Sequence, residues 1–377
     1  MLQRSGGEMQ SWKVLVTVSS LEVYQDLLHR IPKSKARSLY IQVTDEDNYG
    51  SYSSNTLFQR EFELLANVIM QCSDLISLEL WLDSELEFTF GTDVKAHPFA
   101  GCRLESLSLH NVSLSSLYRD DSIFDLVSQA RQINLSGSDI GTDAEIVRLI
   151  DSAKDTLENC SVKLTGTTSY DIDFRSINLP RLRRLRVFNY HGSSSTTGSM
   201  QYSLTCPELR HLNLSGSLSP PLCNDLLTST INTLHLELDE HLCKSTRNIL
   251  RNCSNLSTLR LAIAHPYQGR FPSELLEEIL DELVVLPIKE FVFHSMVQSN
   301  LEDEKVILNF FEKRSKEAGL AKMKIFLLHR DIILSQDTLK DLLQYCEVVK
   351  SFANDEEDST YSEGDLKIRS YGRTIGM

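Results

Sequence analysis

The sequence lacks the patterns that mark secreted, membrane-spanning and disulfide-bonded proteins. Its 377 residues include 8 cysteines and no Cys-x-x-Cys pair, which argues against a disulfide framework. No apolar run approaches the roughly 18 residues of a membrane span, and residues 1–10 are polar and unlike a signal peptide. We therefore expect a soluble protein of the cytoplasm or nucleus that does not bind membranes.

Positive charge is scarce as well. The chain carries 38 Lys and Arg residues against 52 Asp and Glu residues, a formal net charge of −14. A field of this sign repels the phosphate backbone of nucleic acids, so we expect no nucleic-acid partner. The 41% hydrophobic and 24% charged residues are ordinary for a folded protein.

Catalytic and metal-binding motifs are also missing. The sequence contains no Walker A loop, no Gly-x-Gly-x-x-Gly, no Gly-x-Ser-x-Gly and no His-Glu-x-x-His. Segment 45–50 begins like a calcium loop, but Tyr49 stands where an oxygen ligand is required. His235 and His241 could share a metal only if a strand end folded back. The sequence thus predicts no catalytic residue, no cofactor, no metal site and no enzymatic activity.

Leucine, by contrast, is abundant, with 58 residues. The string Cys-x-x-Leu-x-x-Leu-x-Leu occurs at 72–80, 206–214 and 253–261, where composition alone would give about 0.03 such strings. Looser copies are centred on positions 39, 107, 133, 185, 234 and 291, and weaker ones lie around Val162 and Leu164 and around Ile325 and Leu327. Most spacings between the copies are 22 to 34 residues, the range of a leucine-rich repeat.

The repeat predicts the architecture. In Leu-x-Leu the apolar residues alternate with polar ones, which indicates a strand with one buried face, and helices are expected at 57–71, 142–157, 240–252, 272–283 and 301–318. Such units must stack to bury their apolar faces. We expect an α/β fold, a right-handed leucine-rich-repeat solenoid with a parallel sheet on the concave side, helices on the convex side, and the repeat cysteines buried where a helix turns into the next strand.

The predicted organisation has three parts. Residues 1–35 form an N-terminal cap, residues 36–350 the solenoid, and residues 351–377 an acidic, mobile tail in which segment 354–365 holds six acidic and no basic residues. No linker long enough to separate two domains is visible. We expect a monomer.

Several repeats carry a more specific likeness. Cys206-Pro207-Glu-Leu209, Asn178-Leu-Pro180 and the opening Ser11-Trp12 resemble the leucine-rich-repeat part of F-box/leucine-rich-repeat proteins, particularly a large fungal group. The resemblance implies a protein-binding module that chooses substrates for a cullin-type ubiquitin ligase. An F-box is not found before Trp12, so the ligase's linker subunit is an expected partner only if an F-box is encoded upstream. The alternative is a free-standing leucine-rich-repeat scaffold or inhibitor.

Function in a solenoid is expected on the open strand face, where each repeat places side chains at fixed spacing. The predicted protein-binding residues are Glu79, Trp81, His110, Asn134, Arg184, Arg186, Phe188, His211, Asn213, His235, Glu237 and Arg260. Trp81 could be an interface anchor or could pack under the neighbouring acidic loop. Arg184 and Arg186 could bind anionic groups of a partner or neutralise acidic side chains on the same sheet.

Overall fold

The computed structural model describes residues 11–17, 37–44, 74–82, 103–112, 124, 127–136, 143–164, 176–189, 203–216, 230–238, 249–263, 273–295, 301–316, 320, 322–328 and 335–351. The chain divides into two compact units, Met1–Glu208 and Leu209–Met377. Both are mixed α/β, with parallel strands and few helices among the described residues. The helix predicted at 57–71 and the acidic segment 354–365 lie outside these ranges.

The first unit holds a parallel sheet of seven strands that follow one another in chain order. They are β1 (Ser11–Thr17), β2 (Ser38–Thr44), β3 (Ser77–Leu82), β4 (Ser106–His110), β5 (Gln132–Ser136), β6 (Asn159–Leu164) and β8 (Arg184–Asn189). The short strands β7 (Ser176–Asn178) and β9 (Ser203–Thr205) form a second, two-stranded parallel sheet that the sequence did not predict.

The second unit holds six parallel strands, again in chain order. They are β10 (His211–Gly216), β11 (Thr233–Leu238), β12 (Thr258–Ile263), β13 (Glu290–Ser295), β14 (Met323–Leu328) and β15 (Cys346–Ser351). The predicted parallel sheet is therefore confirmed, whereas its curvature and handedness stay predictions.

The strand register explains why the repeat could be recognised in the sequence. The first leucine of each pair aligns with the first of the next strand, as Leu78 does with Leu107 and Leu234 with Leu259. Because side chains alternate between faces, this register places all paired aliphatic residues on one side. Leu107 and Leu259 are accordingly buried.

Two weak repeat copies were placed incorrectly. The buried pair of β6 is Cys160 and Val162 rather than Val162 and Leu164, a shift of two residues that keeps the same face. In β14, Phe326 and Leu328 align with the buried pair of β13, so the predicted pair Ile325 and Leu327 was out of register by one residue. Four consecutive apolar residues, 325–328, give no alternation from which the face could be read.

Four helices connect strands in the described part of the chain. They are α1 (Asp143–Ser152), α2 (Ser273–Leu283), α3 (Leu301–Lys316) and α4 (Gln336–Leu342). In α2, the buried side chains Leu276, Ile279, Leu280 and Leu283 recur with helical spacing. Helices are confirmed within the predicted segments 142–157, 272–283 and 301–318, but α1 ends at Ser152, five residues before the predicted end. Only 249–252 of the helix predicted at 240–252 is described, and α4 was missed.

Successive repeats share one hydrogen-bond pattern where the chain enters a strand. The carbonyl of Arg37 accepts N–H groups from both Ile76 and Ser77, and the carbonyl of Asn232 accepts them from both Ser257 and Thr258. The same two-donor arrangement recurs at the carbonyls of Ile76, Glu105, Arg131, Glu158, Arg210 and Ser257. In these repeats, the backbone N–H groups of the two residues between the leucines of Leu-x-x-Leu therefore form hydrogen bonds with one carbonyl of the preceding repeat.

The core lies between the buried sheet face and the helices. In the second unit, the ring of Phe310 on α3 meets that of Phe291 on β13 edge-on, with centroids 6.1 Å apart. Arg314, 4% exposed, reaches the carbonyls of Leu286 and Ile288 at 2.6 and 2.8 Å, just before β13 begins. No helix in the described ranges is long and apolar enough to cross a membrane.

Candidate functional site

The face of the first sheet opposite the aliphatic pairs carries a continuous array of polar and aromatic side chains. Glu79 and Trp81 on β3, His110 on β4, Asn134 on β5, and Arg184, Arg186 and Phe188 on β8 all occupy strand positions that alternate with buried residues, where the sequence placed them. The register joins these positions into rows. Tyr40, Glu79, Ser108, Asn134, Ser161 and Arg186 follow one another across six strands.

A histidine forms the centre of one cluster on this face. The imidazole of His110 stacks on Trp81, with ring centroids 4.3 Å apart, and its Nε2 lies 3.6 Å from Oε1 of Glu79. Its Nδ1 is hydrogen-bonded to the hydroxyl of Ser136 on the next strand. Trp81 is half-buried and the side chain of Glu79 is 39% exposed, so both can be reached from outside. We call these four residues the His110 cluster.

The His110 cluster contains a hydroxyl, an imidazole and a carboxylate in sequence, which is also the order of groups in a serine hydrolase. Acyl transfer further requires backbone or side-chain donors for the oxyanion. In the described strands β4 and β5, each backbone lies between two neighbours and its N–H groups belong to the parallel ladder. At the end of β4, the N–H of Asn111, whose φ is +57°, donates to the carbonyl of Ser136. The described N–H groups beside this cluster are therefore already engaged in hydrogen bonds within the sheet.

Tyr40 extends the same face toward the N-terminal side. Its hydroxyl donates a 2.9 Å hydrogen bond to Oε1 of Gln42, two residues along β2. Partial burial, followed by the nearby carboxylate of Glu79, raises the pKa of Tyr40 above its usual value. Tyr40 therefore stays a neutral hydrogen-bonding group through the physiological pH range.

A group of cationic side chains lies on the same face of this sheet, on strands β6 and β8. Arg184 is exposed, and the guanidinium of Arg186 lies 4.2 Å from the ring centroid of Phe188. Lys163 on β6 is in register with Phe188. We call Lys163, Arg184, Arg186 and Phe188 the basic patch. Arg183, which has the opposite strand parity, instead lies 3.5 Å from Glu208 at the surface.

In the second unit, the predicted residues also alternate with buried positions. Asn213, His235 and Arg260 align across β10, β11 and β12, and His211 and Glu237 lie two positions before Asn213 and two positions after His235 on their strands. All five are half-buried. They form a mixed polar row without the concentration of like charge that marks the basic patch.

The described cysteines belong to the interior. Cys160, Cys206, Cys253 and Cys346 are free, buried thiols, and burial raises the pKa of each to about 12. Cys253 follows the helical residues 249–252 as predicted, whereas Cys206 follows strand β9 and Cys160 and Cys346 lie within strands. Within the described ranges, no group of three or more His, Cys, Asp or Glu residues is arranged to hold a metal ion.

Three residues of this face were missed from the sequence. Tyr40 stands between buried residues and Lys163 follows buried Val162, so both could have been found from the same alternation. Ser136 follows the pair Ile133 and Leu135 by one position.

Neither a protein-family model nor a curated protein matches this chain.

Proposed function

We propose that the protein is a non-catalytic, protein-binding leucine-rich-repeat solenoid, right-handed, with the open sheet face on its concave side. The observation that carries this proposal is the register, since it puts the aliphatic pairs on one side and leaves aligned polar rows on the other. The strand-entry carbonyl that recurs between repeats also supports a uniform stack.

The open face has the composition of a recognition surface. It presents an indole, an imidazole, guanidinium groups and amides at spacings fixed by the sheet. Aromatic and arginine side chains of this kind supply much of the binding energy at protein interfaces. The ligand that we propose is therefore a protein, recognised by a cytoplasmic or nuclear monomer.

The resemblance to F-box/leucine-rich-repeat proteins supports a more specific role, recognition of substrates for a cullin-type ubiquitin ligase. The second candidate is a scaffold or inhibitor without ubiquitin chemistry. The two roles predict different co-purifying proteins, because only the first requires the ligase's linker subunit and cullin.

The test begins with affinity purification of the full chain from its own cells, followed by reconstitution with each purified partner. We expect Trp81→Ala to weaken binding of a direct partner about tenfold or more, because Trp81 is a half-buried aromatic on the open face. Val285→Ala is the matched control, since Val285 is an apolar side chain 71% exposed away from the strands.

The outcomes separate the candidates. Recovery of the linker subunit and cullin in stoichiometric amounts supports the ligase role, and their absence from a complex that still depends on Trp81 supports the scaffold. Partners that bind wild type, Trp81→Ala and Val285→Ala equally well would contradict recognition by the open face.

A further inference from the structure

Six side chains in the middle of the first unit's sheet carry only amide and hydroxyl groups. They occupy the first two open positions of β4, β5 and β6, and they are Ser106, Ser108, Gln132, Asn134, Asn159 and Ser161. The register aligns them in two rows of three across the neighbouring strands. We call these six residues the amide–hydroxyl array.

The fold makes no use of these polar groups. Among the residues that the structure describes, none of the six forms a side-chain hydrogen bond, whereas the hydroxyl of Thr156 donates to the carbonyl of Ala130 at 2.9 Å. No polar side-chain atom of the array is fully buried without a partner, so these described groups remain in contact with water. The array therefore has hydrogen-bonding capacity that is free to serve a ligand.

The composition of the array is also unusual for central strands. Strands are enriched in β-branched and aromatic residues and depleted in Asn, yet the array consists of three Ser, two Asn and one Gln. Each of its strands lies between two others. Positions that conflict with local preference without a structural gain are typical of functional sites.

The chemistry of the array matches that of a polypeptide backbone. A carboxamide has an acceptor and donors side by side, and each peptide residue other than Pro has one N–H and one C=O. In an extended peptide, both groups of a residue point to the same edge as those of the residue two positions further on, about 7 Å away. Gln132 and Asn134 are alternate residues of β5 and repeat at the same interval.

We propose that the amide–hydroxyl array binds an extended, uncharged segment of a partner protein, which runs along β5 and is held by its backbone. Gln132 and Asn134 each donate to the C=O and accept from the N–H of alternate peptide residues. Ser108 and Ser161 lie in register with Asn134 on either side and bind polar groups next to the peptide backbone. The assignment rests on the proposed protein-binding function and adds the part of the ligand that is recognised.

An ionic ligand fits the array less well. The array itself contains no cation to replace the water around a carboxylate or phosphate, and no carboxylate to replace the water around an ammonium or guanidinium group. The N–H and C=O groups of a neutral peptide instead exchange hydrogen bonds with water for hydrogen bonds with the array. A carbohydrate is neutral as well, so the test includes one.

The experiment measures fluorescence anisotropy of the full chain with a fluorescein-labelled, C-terminally amidated peptide made of six Thr-Ser units. We expect saturable binding, and we expect Gln132→Met/Asn134→Leu to raise the Kd about tenfold or more through the lost hydrogen bonds. Asn178→Leu/Gln336→Met is the matched control, because it makes the same exchanges at exposed positions on β7 and α4. It should change the Kd less than about twofold.

Urea denaturation of the same variants separates binding from a structural role. Gln132→Met/Asn134→Leu removes no described side-chain hydrogen bond and takes Asn out of a strand, so its urea midpoint should be no lower than that of the wild type. A lower midpoint together with weaker binding would show that the two amides serve the fold, and the proposal would fail.

A second arm changes only the peptide. N-methylation of every Ser leaves the N–H donors along one edge, whereas N-methylation of every residue removes all of them. We expect the first peptide to bind within about twofold of the unmethylated one and the second to lose binding. Equal binding of the unmethylated and fully methylated peptides, equal losses in the two methylated peptides, or no saturable binding of the unmethylated peptide would overturn the proposal.

A third arm uses fluorescein-labelled maltohexaose, and tighter binding of this saccharide than of the peptide would overturn the proposal in favour of a carbohydrate. Failure of the array is distinguishable from failure of the proposed function. A purified partner that depends on Trp81 but binds Gln132→Met/Asn134→Leu at full strength would overturn the array alone.

Discussion

Arg314 shows how one charged residue secures the junction of two repeats. Its side chain is buried, and its two terminal nitrogens contact the carbonyls of Leu286 and Ile288. Burial lowers the pKa of its guanidinium below the usual value, yet Arg remains charged at any pH at which proteins fold. A buried cation is stable here because carbonyl oxygens replace its water.

Replacing Arg314 should therefore destabilise the second unit. We expect Arg314→Met, which keeps the length of the side chain, to lower the free energy of unfolding by about 3 kcal/mol, because buried carbonyls lose a charged donor. Urea denaturation followed by circular dichroism measures the change.

The control lies two residues further along α3. Lys316 pairs with Glu312 at 3.1 Å, but its side chain is 70% exposed. Lys316→Met should leave the urea midpoint nearly unchanged, because an exposed ion pair contributes little to stability. Similar losses of stability in the two variants would show that the hydrogen bonds of Arg314 to the carbonyls contribute no more than an exposed ion pair.

Thiol chemistry provides a second prediction at this scale. With a pKa of about 12, Cys160, Cys206, Cys253 and Cys346 are ionised at pH 8 in about one molecule in ten thousand, against about one in ten for a thiol of ordinary pKa. Iodoacetamide at pH 8 should leave these four cysteines unmodified in the native protein and label them in urea. Mass spectrometry of tryptic peptides reads out each site, and native labelling of any of the four would contradict its burial.

The same thiols give stability a pH dependence of known sign. Burial raises the pKa of each described cysteine from 9.0 in the unfolded chain to about 12 in the folded protein. Between these two values the unfolded chain loses thiol protons that the folded protein retains, so unfolding becomes more favourable as the pH rises. The stabilisation is therefore complete below about pH 9 and is lost progressively between about pH 9 and pH 12.

We expect the urea midpoint of the wild-type protein to be lower at pH 10 than at pH 8. Cys206→Ala/Cys253→Ala is the control, because it removes two of the titrating thiols and should show a smaller fall over the same interval. The same fall in the wild type and in this variant would show that other groups cause the effect.

Residue positions on the open face were largely predictable, because alternation alone decides which side of a strand a residue occupies. Contacts between strands were not. That His110 meets Trp81, Glu79 and Ser136 depends on a register that joins residues about 30 positions apart, and no pattern within one repeat encodes it.

At the scale of the element, α4 depends on the residue that precedes it. Ser335 caps this helix of seven residues by accepting a 3.2 Å hydrogen bond from the N–H of Thr338. The carboxylate of Glu304 on α3 accepts hydrogen bonds from the N–H and hydroxyl of Ser335 and from the hydroxyl of Thr338, at 3.2, 3.0 and 2.7 Å. The cap therefore also joins α4 to the preceding helix.

We expect Ser335→Ala to loosen α4 by about 1 kcal/mol or slightly more, because both the cap and one donor to a buried carboxylate are lost. Hydrogen exchange of the α4 amides should accelerate several-fold. Lys340→Ala is the control, since Lys340 is 73% exposed and pairs only with exposed Asp337 among its described contacts. Equal acceleration in the two variants would contradict a role for the cap.

The elements found from the sequence were those with a strong period. Strands such as β4 and β11 have a leucine pair between polar residues, and α2 has apolar residues at helical spacing. The missed elements are short, as in α4 with seven residues and β7 and β9 with three each. Segments of this length hold too few residues to show a period, so tertiary contacts decide their structure.

At the scale of the whole molecule, each unit is a series of repeats that contact their neighbours in chain order. A stack of this kind has a stability that is close to a sum over repeats and their interfaces, so that opening can begin at an end and stop part way. A globule with one shared core would instead unfold as a whole.

A substitution near the end of the second unit's sheet distinguishes these two behaviours. Leu342 on α4 is fully buried, and Leu342→Ala should cost roughly 2–5 kcal/mol locally. Hydrogen exchange followed by mass spectrometry should show faster exchange in β14 and β15 and unchanged exchange in β10 and β11 of the full-length chain.

The matched control is Leu236→Ala, an equally buried leucine on β11 with a strand on either side. Because this residue supports two interfaces, faster exchange should spread to both β10 and β12. If Leu342→Ala accelerates exchange by the same factor in every strand of the second unit, the repeats share one cooperative core and the solenoid proposal fails for that unit.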